Sequence, residues 1–189
     1  MFKLRLVLSF IAIGMLITSS VASAHSSVVI DPAGDIQSST PRYYDIVKAK
    51  VHATGDATGA HEAIVFSMKL AVAIPELSAT TFFGANWLLD TDSGRAGPEY
   101  NVIVRWCTTA THPKCQSGPA HWEGAINNFV AGGTQTYVTT FEVAGDEVTL
   151  RVDPARIGSA REFAWTGATR SRGAQPNPED ITEVASFRR

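Results

Sequence analysis

Hydrophobic and polar residues alternate along the chain from residue 25 onward, with the two-residue period of half-buried β-strands. The segment 63–73 is the clearest case, because Phe66, Met68 and Leu70 fall on one face and polar residues lie between them. No segment after residue 25 sustains the 3.6-residue period of an amphipathic helix. The pattern therefore predicts an all-β domain.

Glycine, proline, aspartate and asparagine interrupt this alternation about every 8–14 residues. Short strands with regular turn signals are typical of antiparallel sandwiches and barrels. We therefore expect a two-sheet antiparallel β-sandwich, immunoglobulin-like or jelly-roll-like, with about nine strands. The segments 137–143 and 181–187 are each predicted as one strand.

Two short segments carry turn signals that are specific enough to predict their geometry. Gly145-Asp146 separates two alternating runs, which predicts a tight β-hairpin. The segment 153–158 is predicted as one helical turn, with Asp153 as its N-cap, Pro154 at its first position and Gly158 as its terminator.

The first 24 residues have the pattern of a secretory signal peptide. Basic residues precede an apolar stretch from Leu6 to Ile17, and Ala22-Ser23-Ala24 fits a small-x-small cleavage site. The apolar stretch is shorter than the about 20 residues of a membrane span, and no later segment approaches that length. We expect cleavage after Ala24, a secreted or periplasmic protein, and one mature domain over 25–189 without a membrane span. A retained N-terminal anchor is the alternative.

The net charge argues against a nucleic-acid partner, and the cysteine content indicates an oxidising compartment. The formal net charge is −2 and the basic residues are scattered, whereas a nucleic-acid-binding surface needs a concentrated basic face. Cys107 and Cys115 are the only cysteines. In an exported chain we expect them to form a disulfide across the short loop between them, since two thiolates supply only half of a zinc site.

Five short motifs occur in an order that carries a family resemblance. They are Asp31-x-x-Gly34-Asp35, Tyr44-Asp45-Ile46, a strand over 64–72, Trp87 to Asp92, and Val152-Asp153-Pro154 to Ile157-Gly158. Together they span most of the mature chain, and the set resembles exported β-sandwich domains similar to the family 9 carbohydrate-binding modules and the DOMON domains. The resemblance implies the sandwich fold, a sugar, haem or other ligand, and in some members structural calcium.

Carboxylates collect where the predicted strands end. Asp90 and Asp92 form a D-x-D turn after an apolar strand, while Asp31, Asp35 and Asp45 flank the first predicted turns. If these strand ends meet, the five side chains could supply much of the about 6–8 oxygen ligands that Ca²⁺ takes. Aspartates also cap turns by accepting hydrogen bonds from the nearby backbone, so turn capping is the alternative interpretation.

Tryptophan side chains are the candidate sugar-binding groups, because their rings can stack on pyranose faces. Three of the four tryptophans occupy apolar strand positions and are expected in the core. Trp122, flanked by His121 and Glu123 and close to the predicted disulfide loop, is the candidate ligand-binding site. Its ligand would be a glycan or a cell-surface partner.

Two redox functions are alternatives to a binding module. A free amino-terminal His25 with a second histidine could chelate copper, for which imidazole is a common ligand. Met68 with His112 or His121 could ligate haem, as in some DOMON domains, although a methionine in an apolar stripe is typical of a core.

Catalytic motifs give no support for an enzyme. The sequence has no G-x-S-x-G elbow and no H-E-x-x-H motif, and its acidic residues are too numerous for any pair to identify a hydrolase. We therefore expect a secreted, non-enzymatic β-sandwich binding module. A structural extracellular protein without a small ligand is the remaining alternative.

Overall fold

The computed structural model describes residues 25–55, 62–171 and 178–189. The predicted signal peptide, residues 1–24, lies outside the described residues, as do 56–61 and 172–177. Two short 3-10 helices occur at Arg42–Tyr44 and Pro154–Ile157. The described strands are β1 (Ser26–Ile30), β2 (Ile46–Thr54), β3 (Ala63–Leu70), β4 (Phe83–Asp90), β5 (Tyr100–Cys107), β6 (His121–Asn128), β7 (Thr134–Val138), β8 (Phe141–Ala144), β9 (Glu147–Val152), β10 (Glu162–Arg170), β11 (Asp180–Ile181) and β12 (Ala185–Arg188).

These strands form two antiparallel sheets, which confirms the predicted two-sheet sandwich. The five-stranded sheet has the order β1-β2-β3-β9-β8. The seven-stranded sheet has the order β11-β10-β4-β5-β6-β7, and β12 also pairs with β10. The two sheets pack face to face around one hydrophobic core.

Alternation along the strands places the core between the sheets. Phe66, Met68 and Leu70 on β3 have no exposed surface, as their shared face predicts. Trp87 on β4 faces them from the other sheet, with its ring centroid 5.8 Å from that of Phe66. Trp165 on β10 is also buried, so these two tryptophans are core residues as expected.

The described residues form twelve strands, more than the about nine predicted, and two of the predicted strands are each divided. The segment 137–143 changes sheets: Val138 belongs to β7 in the seven-stranded sheet, and Phe141 pairs with Leu150 in the five-stranded sheet. Gly124 on β6 lies beneath this crossing, where a Cβ would approach the Val138 carbonyl oxygen to 2.7 Å. Val138 is the buried residue of β7, whereas Tyr137 is 39% exposed, so the face predicted from Tyr137 and Phe141 is wrong at Tyr137.

The last predicted strand, 181–187, is likewise two strands. Both β11 and β12 pair with β10, at different positions along it. Thr182, between the two strands, accepts a hydrogen bond from Gly167 N at its hydroxyl at 2.9 Å, which holds the connection against the sheet.

Both local turn predictions are confirmed. Gly145-Asp146 joins β8 to β9 as a two-residue hairpin turn, and Gly145 has φ 61°. The Asp153 carboxylate accepts a hydrogen bond from Ala155 N at 2.9 Å at the start of the second 3-10 helix. Gly158 ends that helix in the left-handed region, at φ 71°.

The predicted covalent link is also confirmed, because Cys107 and Cys115 form a disulfide. It closes a loop that begins at the end of β5 and returns to β6. None of the helices in the described part of the chain has the length and apolar character that crossing a membrane requires.

Candidate functional site

The outer face of the seven-stranded sheet carries an unusual number of buried polar side chains. Strand alternation turns these side chains away from the core, so a simple sandwich would leave them in water. The residues are Asn86 on β4, Arg105 on β5, and Glu123 and Asn127 on β6, none more than 6% exposed. Something other than the opposite sheet must therefore cover this face.

The disulfide loop provides part of that cover, and the Lys114 carbonyl oxygen is its main attachment. This oxygen accepts hydrogen bonds from Arg105 Nη2 at 2.6 Å, Gln135 Nε2 at 2.9 Å and the Tyr137 hydroxyl at 3.1 Å. The three donors come from β5 and β7, so the loop crosses the sheet surface. The Cys107–Cys115 bond then holds its two ends together.

Glu123 is the second attachment of this loop rather than an exposed ligand group. Its carboxylate accepts from Arg105 Nε at 2.5 Å and from Gln116 N at 3.0 Å, and it lies 3.4 Å from His121 Nε2. Trp122 faces the opposite side of β6, where it packs against Phe83 with ring centroids 5.7 Å apart. The structure therefore does not bring His121, Trp122 and Glu123 to one binding surface.

A groove of about 230 Å³ lies on the same outer face, beside the disulfide loop. Side chains of β4, β5 and β6 line it, together with His112 and Lys114 of the disulfide loop and Arg170 of β10. Phe82 and His112 stack at one end, with ring centroids 5.7 Å apart. The lining residues used below are Asn86, Asn101, Arg105, Asn127, Phe129 and Arg170, and we call this feature the outer groove.

The amide side chains of the outer groove form a network with unused acceptors. Asn86 Nδ2 donates to the carbonyl oxygen of Gly84 at 3.1 Å, and Asn101 Nδ2 donates to Asn86 Oδ1 at 3.1 Å. These bonds orient the Asn101 amide. The Oδ1 atoms of Asn101 and Asn127 are buried and have no hydrogen-bond partner. A buried amide oxygen without a donor is costly, which singles out both residues.

A second group of polar side chains lies near the start of β2 and is acidic. Carboxylate oxygens of Asp31, Asp35 and Asp180 all lie within 4.8 Å of one another. Asp45 adjoins them and is fully buried. We call these four residues the acidic cluster. It contains three of the five aspartates predicted as metal ligands, together with Asp180, which sequence reasoning did not single out.

Burial and like charge raise the pKa values of two members of the acidic cluster, Asp31 and Asp180. Burial raises the pKa of Asp31 to about 6, and the nearby charges of Asp180, Asp35 and Asp45 contribute in the same direction. Burial also raises the pKa of Asp180, although a backbone hydrogen bond from Ile46 N, 2.6 Å from its Oδ2, opposes the shift. Both carboxylates are thus held in surroundings that disfavour their charge.

Asp90 and Asp92 are not part of this cluster. Along β10, Ala164 pairs with Asp90 and Thr169 pairs with Asp180. Those two β10 positions are five residues apart, about 17 Å at the rise of a strand. Asp92 Oδ1 instead accepts from Gly94 N at 2.9 Å, the geometry of the turn-capping interpretation.

The residues of the redox alternatives occupy separate environments. Met68 has no exposed surface and lies in the core between the sheets. His112 stacks on Phe82 at the outer groove, on the other side of the seven-stranded sheet. The carbonyl oxygen of His25 accepts from Ala53 N at 3.0 Å, so alternation places His25 and its neighbour across the sheet, His52, on opposite faces.

Sequence reasoning missed the residues that the fold brings together over long distances. Asn101 and Arg105 read as outward positions of β5, and nothing local indicates that a loop covers them. Asp180 follows a long polar segment without any motif. Comparison of the chain with protein-family models, with curated proteins and with solved structures finds no match, so the resemblance to carbohydrate-binding and DOMON domains stays a prediction.

Proposed function

We propose that this protein is a non-enzymatic binding module that holds a hydroxyl-rich ligand, a sugar, in the outer groove. The observation that carries the proposal is the pair of buried Oδ1 atoms of Asn101 and Asn127, which lack a donor. Sugar hydroxyl groups are donors of the kind that these two acceptors need. The Asn86 hydrogen bond orients the Asn101 amide before any ligand arrives.

The size of the outer groove favours a small part of a glycan. Its volume of about 230 Å³ is below the about 300–1,000 Å³ of typical small-molecule pockets. One sugar ring at a chain end or a branch fits such a space better than an extended polysaccharide. Phe129 is 40% exposed at the groove and offers a ring face for stacking.

The charges around the outer groove favour an acidic sugar over a neutral one. Arg105, Lys114 and Arg170 line it, and no carboxylate is among the described residues that do so. Arg105 is already paired with Glu123, so Lys114 is the lining residue that we expect to attract a carboxylate group of the ligand. A uronic acid combines that charge with hydroxyl donors.

We also propose that the module acts outside the cytoplasm. The Cys107–Cys115 disulfide fits an oxidising compartment, where such bonds persist. The signal-peptide pattern of the first 24 residues gives the same expectation. A glycan ligand on a cell surface or in an envelope would be accessible there.

A glycan array that contains neutral and uronate-bearing oligosaccharides tests the proposed function. We expect the wild-type protein to bind uronate-bearing glycans, and the variants Asn101→Ala and Asn127→Ala to bind them at least about tenfold more weakly, since each loses a hydrogen bond to the ligand. Thr149→Ala, on the outer face of the five-stranded sheet, is the matched control and should bind as the wild type does.

Unfolding midpoints of all four proteins show whether a weakened variant is still folded. If the wild type binds no glycan, the sugar proposal is wrong and the purely structural role is favoured. If both asparagine variants are folded and bind like the wild type, the ligand lies elsewhere on the protein.

A further inference from the structure

The acidic cluster has the spacing of a calcium site. Ca²⁺ binds oxygen ligands at about 2.3–2.6 Å, so two ligands on opposite sides of the ion are about 5 Å apart. The oxygens of Asp31, Asp35 and Asp180 lie within 4.8 Å of one another, which places all three within reach of one ion. We propose that the acidic cluster binds one Ca²⁺ ion, held by Asp31, Asp35 and Asp180 with Asp45 beside them.

Unused acceptors inside the cluster point to a missing partner. Asp45 is fully buried; its Oδ2 accepts from Gly34 N at 2.9 Å, but its Oδ1 has no partner. Asp31 is 9% exposed, and its Oδ2 is also buried without a partner. Carboxylate oxygens in this condition are strongly unfavourable unless a donor or a cation satisfies them.

The excess of negative charge in the acidic cluster also favours a bound divalent cation. Arg42 is a cation partner of the cluster; its Nε lies 3.7 Å from Asp45 Oδ2, and its side chain is 61% exposed. One exposed arginine offsets little of four carboxylates, because water screens the pair. A bound divalent ion would neutralise two of the charges directly. It would also counteract the burial and the repulsion that together raise the pKa of Asp31.

Binding here would tie two distant parts of the chain together. Asp31 and Asp35 belong to the connection between β1 and β2, and Asp180 begins β11. The hydrogen bond from Ile46 N to Asp180 already joins residues 134 positions apart. An ion in the cluster would strengthen that junction in the folded state only, so calcium should stabilise the protein by mass action. The site is independent of the outer groove and of the proposed function.

Calorimetric titration with CaCl₂ and thermal unfolding in EDTA or CaCl₂ test the proposal. We expect one ion per chain and a midpoint rise of about 5–10 °C when calcium is a hundred times its dissociation constant. We also expect Mg²⁺ to bind more weakly, since it demands a regular octahedron and gives up water reluctantly. An unchanged midpoint with no heat of binding would overturn the proposal, and so would tighter binding of Mg²⁺.

Three variants show which carboxylates hold the ion. Asp180→Asn and Asp35→Asn should each weaken calcium binding at least about tenfold, because affinity depends on the number of charged ligands. Asp35 is exposed, so its variant stays informative if Asp180→Asn unfolds. Asp92→Asn, at the distant turn, is the matched control and should bind calcium normally. Loss of binding in Asp92→Asn, with retention in the other two variants, would place the ion at the other turn.

Discussion

Two acidic turns lie at different ends of this sandwich, and they use their carboxylates differently. In the turn that follows β4, which we call the Asp90 turn (residues 90–94), Glu99 accepts hydrogen bonds from Thr91 N at 2.7 Å and Asp92 N at 3.3 Å. The acidic cluster instead has three carboxylates within 4.8 Å of one another. In the Asp90 turn the carboxylate accepts backbone hydrogen bonds, whereas in the acidic cluster several carboxylates lie close to one another.

The difference comes from how many acidic side chains meet. Asp90 Oδ1 and Glu99 Oε1 are also buried without partners, so unused acceptors alone do not distinguish the two regions. In the described part of the chain, however, no third metal-ligating side chain joins them at close range. A cation needs several oxygens at one point, so only the acidic cluster suits one. In the acidic cluster the carboxylates come close together because segments distant in sequence meet there, with Asp31 and Asp35 on one side and Asp180 on the other.

The largest expected effect is at the Asp90 turn. Glu99→Ala removes the acceptor of two backbone N–H groups, and Glu99 itself is only 3% exposed. We expect the free energy of unfolding to fall by about 3 kcal/mol, since partly buried donors would be left without partners. Urea unfolding of the wild type and of Glu99→Ala in EDTA measures this difference in the free energy of unfolding.

Asp180→Asn in EDTA is the contrasting variant: it relieves repulsion and keeps one oxygen for Ile46 N, but it loses the Oδ1 that accepts from Ile181 N at 2.8 Å. Without metal, its loss of stability should be well below that of Glu99→Ala, because the relieved repulsion offsets the lost hydrogen bond. If Glu99→Ala were harmless, or if Asp180→Asn lost as much stability as Glu99→Ala in the absence of metal, the contrast between the two regions would fail.

The sequence predicts the features that depend on neighbouring residues, such as the buried face of a strand. It does not predict how segments distant in sequence pair. The alternation of Phe66, Met68 and Leu70 predicts the buried face correctly, since a two-residue period depends only on neighbouring positions. The same period does not show that the chain changes sheets between Val138 and Phe141, because Tyr137 and Val138 are both apolar and the pattern does not reveal which of them is buried.

The candidate sites divide in the same way. Asp31, Asp35 and Asp45 were predicted because they flank turns, which is a local signal. Asp180 joins them only through the pairing of β11 with β10, and Asp90 is kept away by the pairing of β4 with that same strand. In the outer groove, Arg105 is buried because a covalently closed loop folds over it, which no periodicity encodes.

The next expected effect is a dependence of stability on pH in the absence of metal. The pKa of Asp31 is about 6 in the folded protein, against 3.8 for an unperturbed aspartate, so the folded state holds more protons than the unfolded state between these pH values. A raised folded-state pKa gives stability that is lost as pH rises through about 6. In EDTA we expect the protein to be about 1 kcal/mol more stable at pH 5 than at pH 7 on account of this group.

Urea unfolding of the wild type and of Asp31→Asn at both pH values isolates that contribution, since the variant lacks the titrating group. Asp35, Asp45, Asp180 and Glu183 add negative charge around Asp31, and Arg42 faces Asp45, so these groups remain in both proteins. Saturating calcium should reverse the trend, because the ion binds the deprotonated carboxylates. An identical pH dependence in the two proteins would show that Asp31 is not the responsible group.

The smallest expected effect separates capping from charge at the Asp90 turn. Asp92→Ala removes the acceptor of Gly94 N in an exposed turn, so we expect a loss of only about 0.5 kcal/mol. Asp92→Asn keeps an oxygen at the same place and should restore the wild-type midpoint in thermal unfolding. At Asp35 the same change to asparagine also keeps an oxygen, but there it should weaken calcium binding. If Asp92→Asn were as unstable as Asp92→Ala, the negative charge of Asp92 would also contribute to the stability of the Asp90 turn. The two regions would then differ only in how much they depend on negative charge.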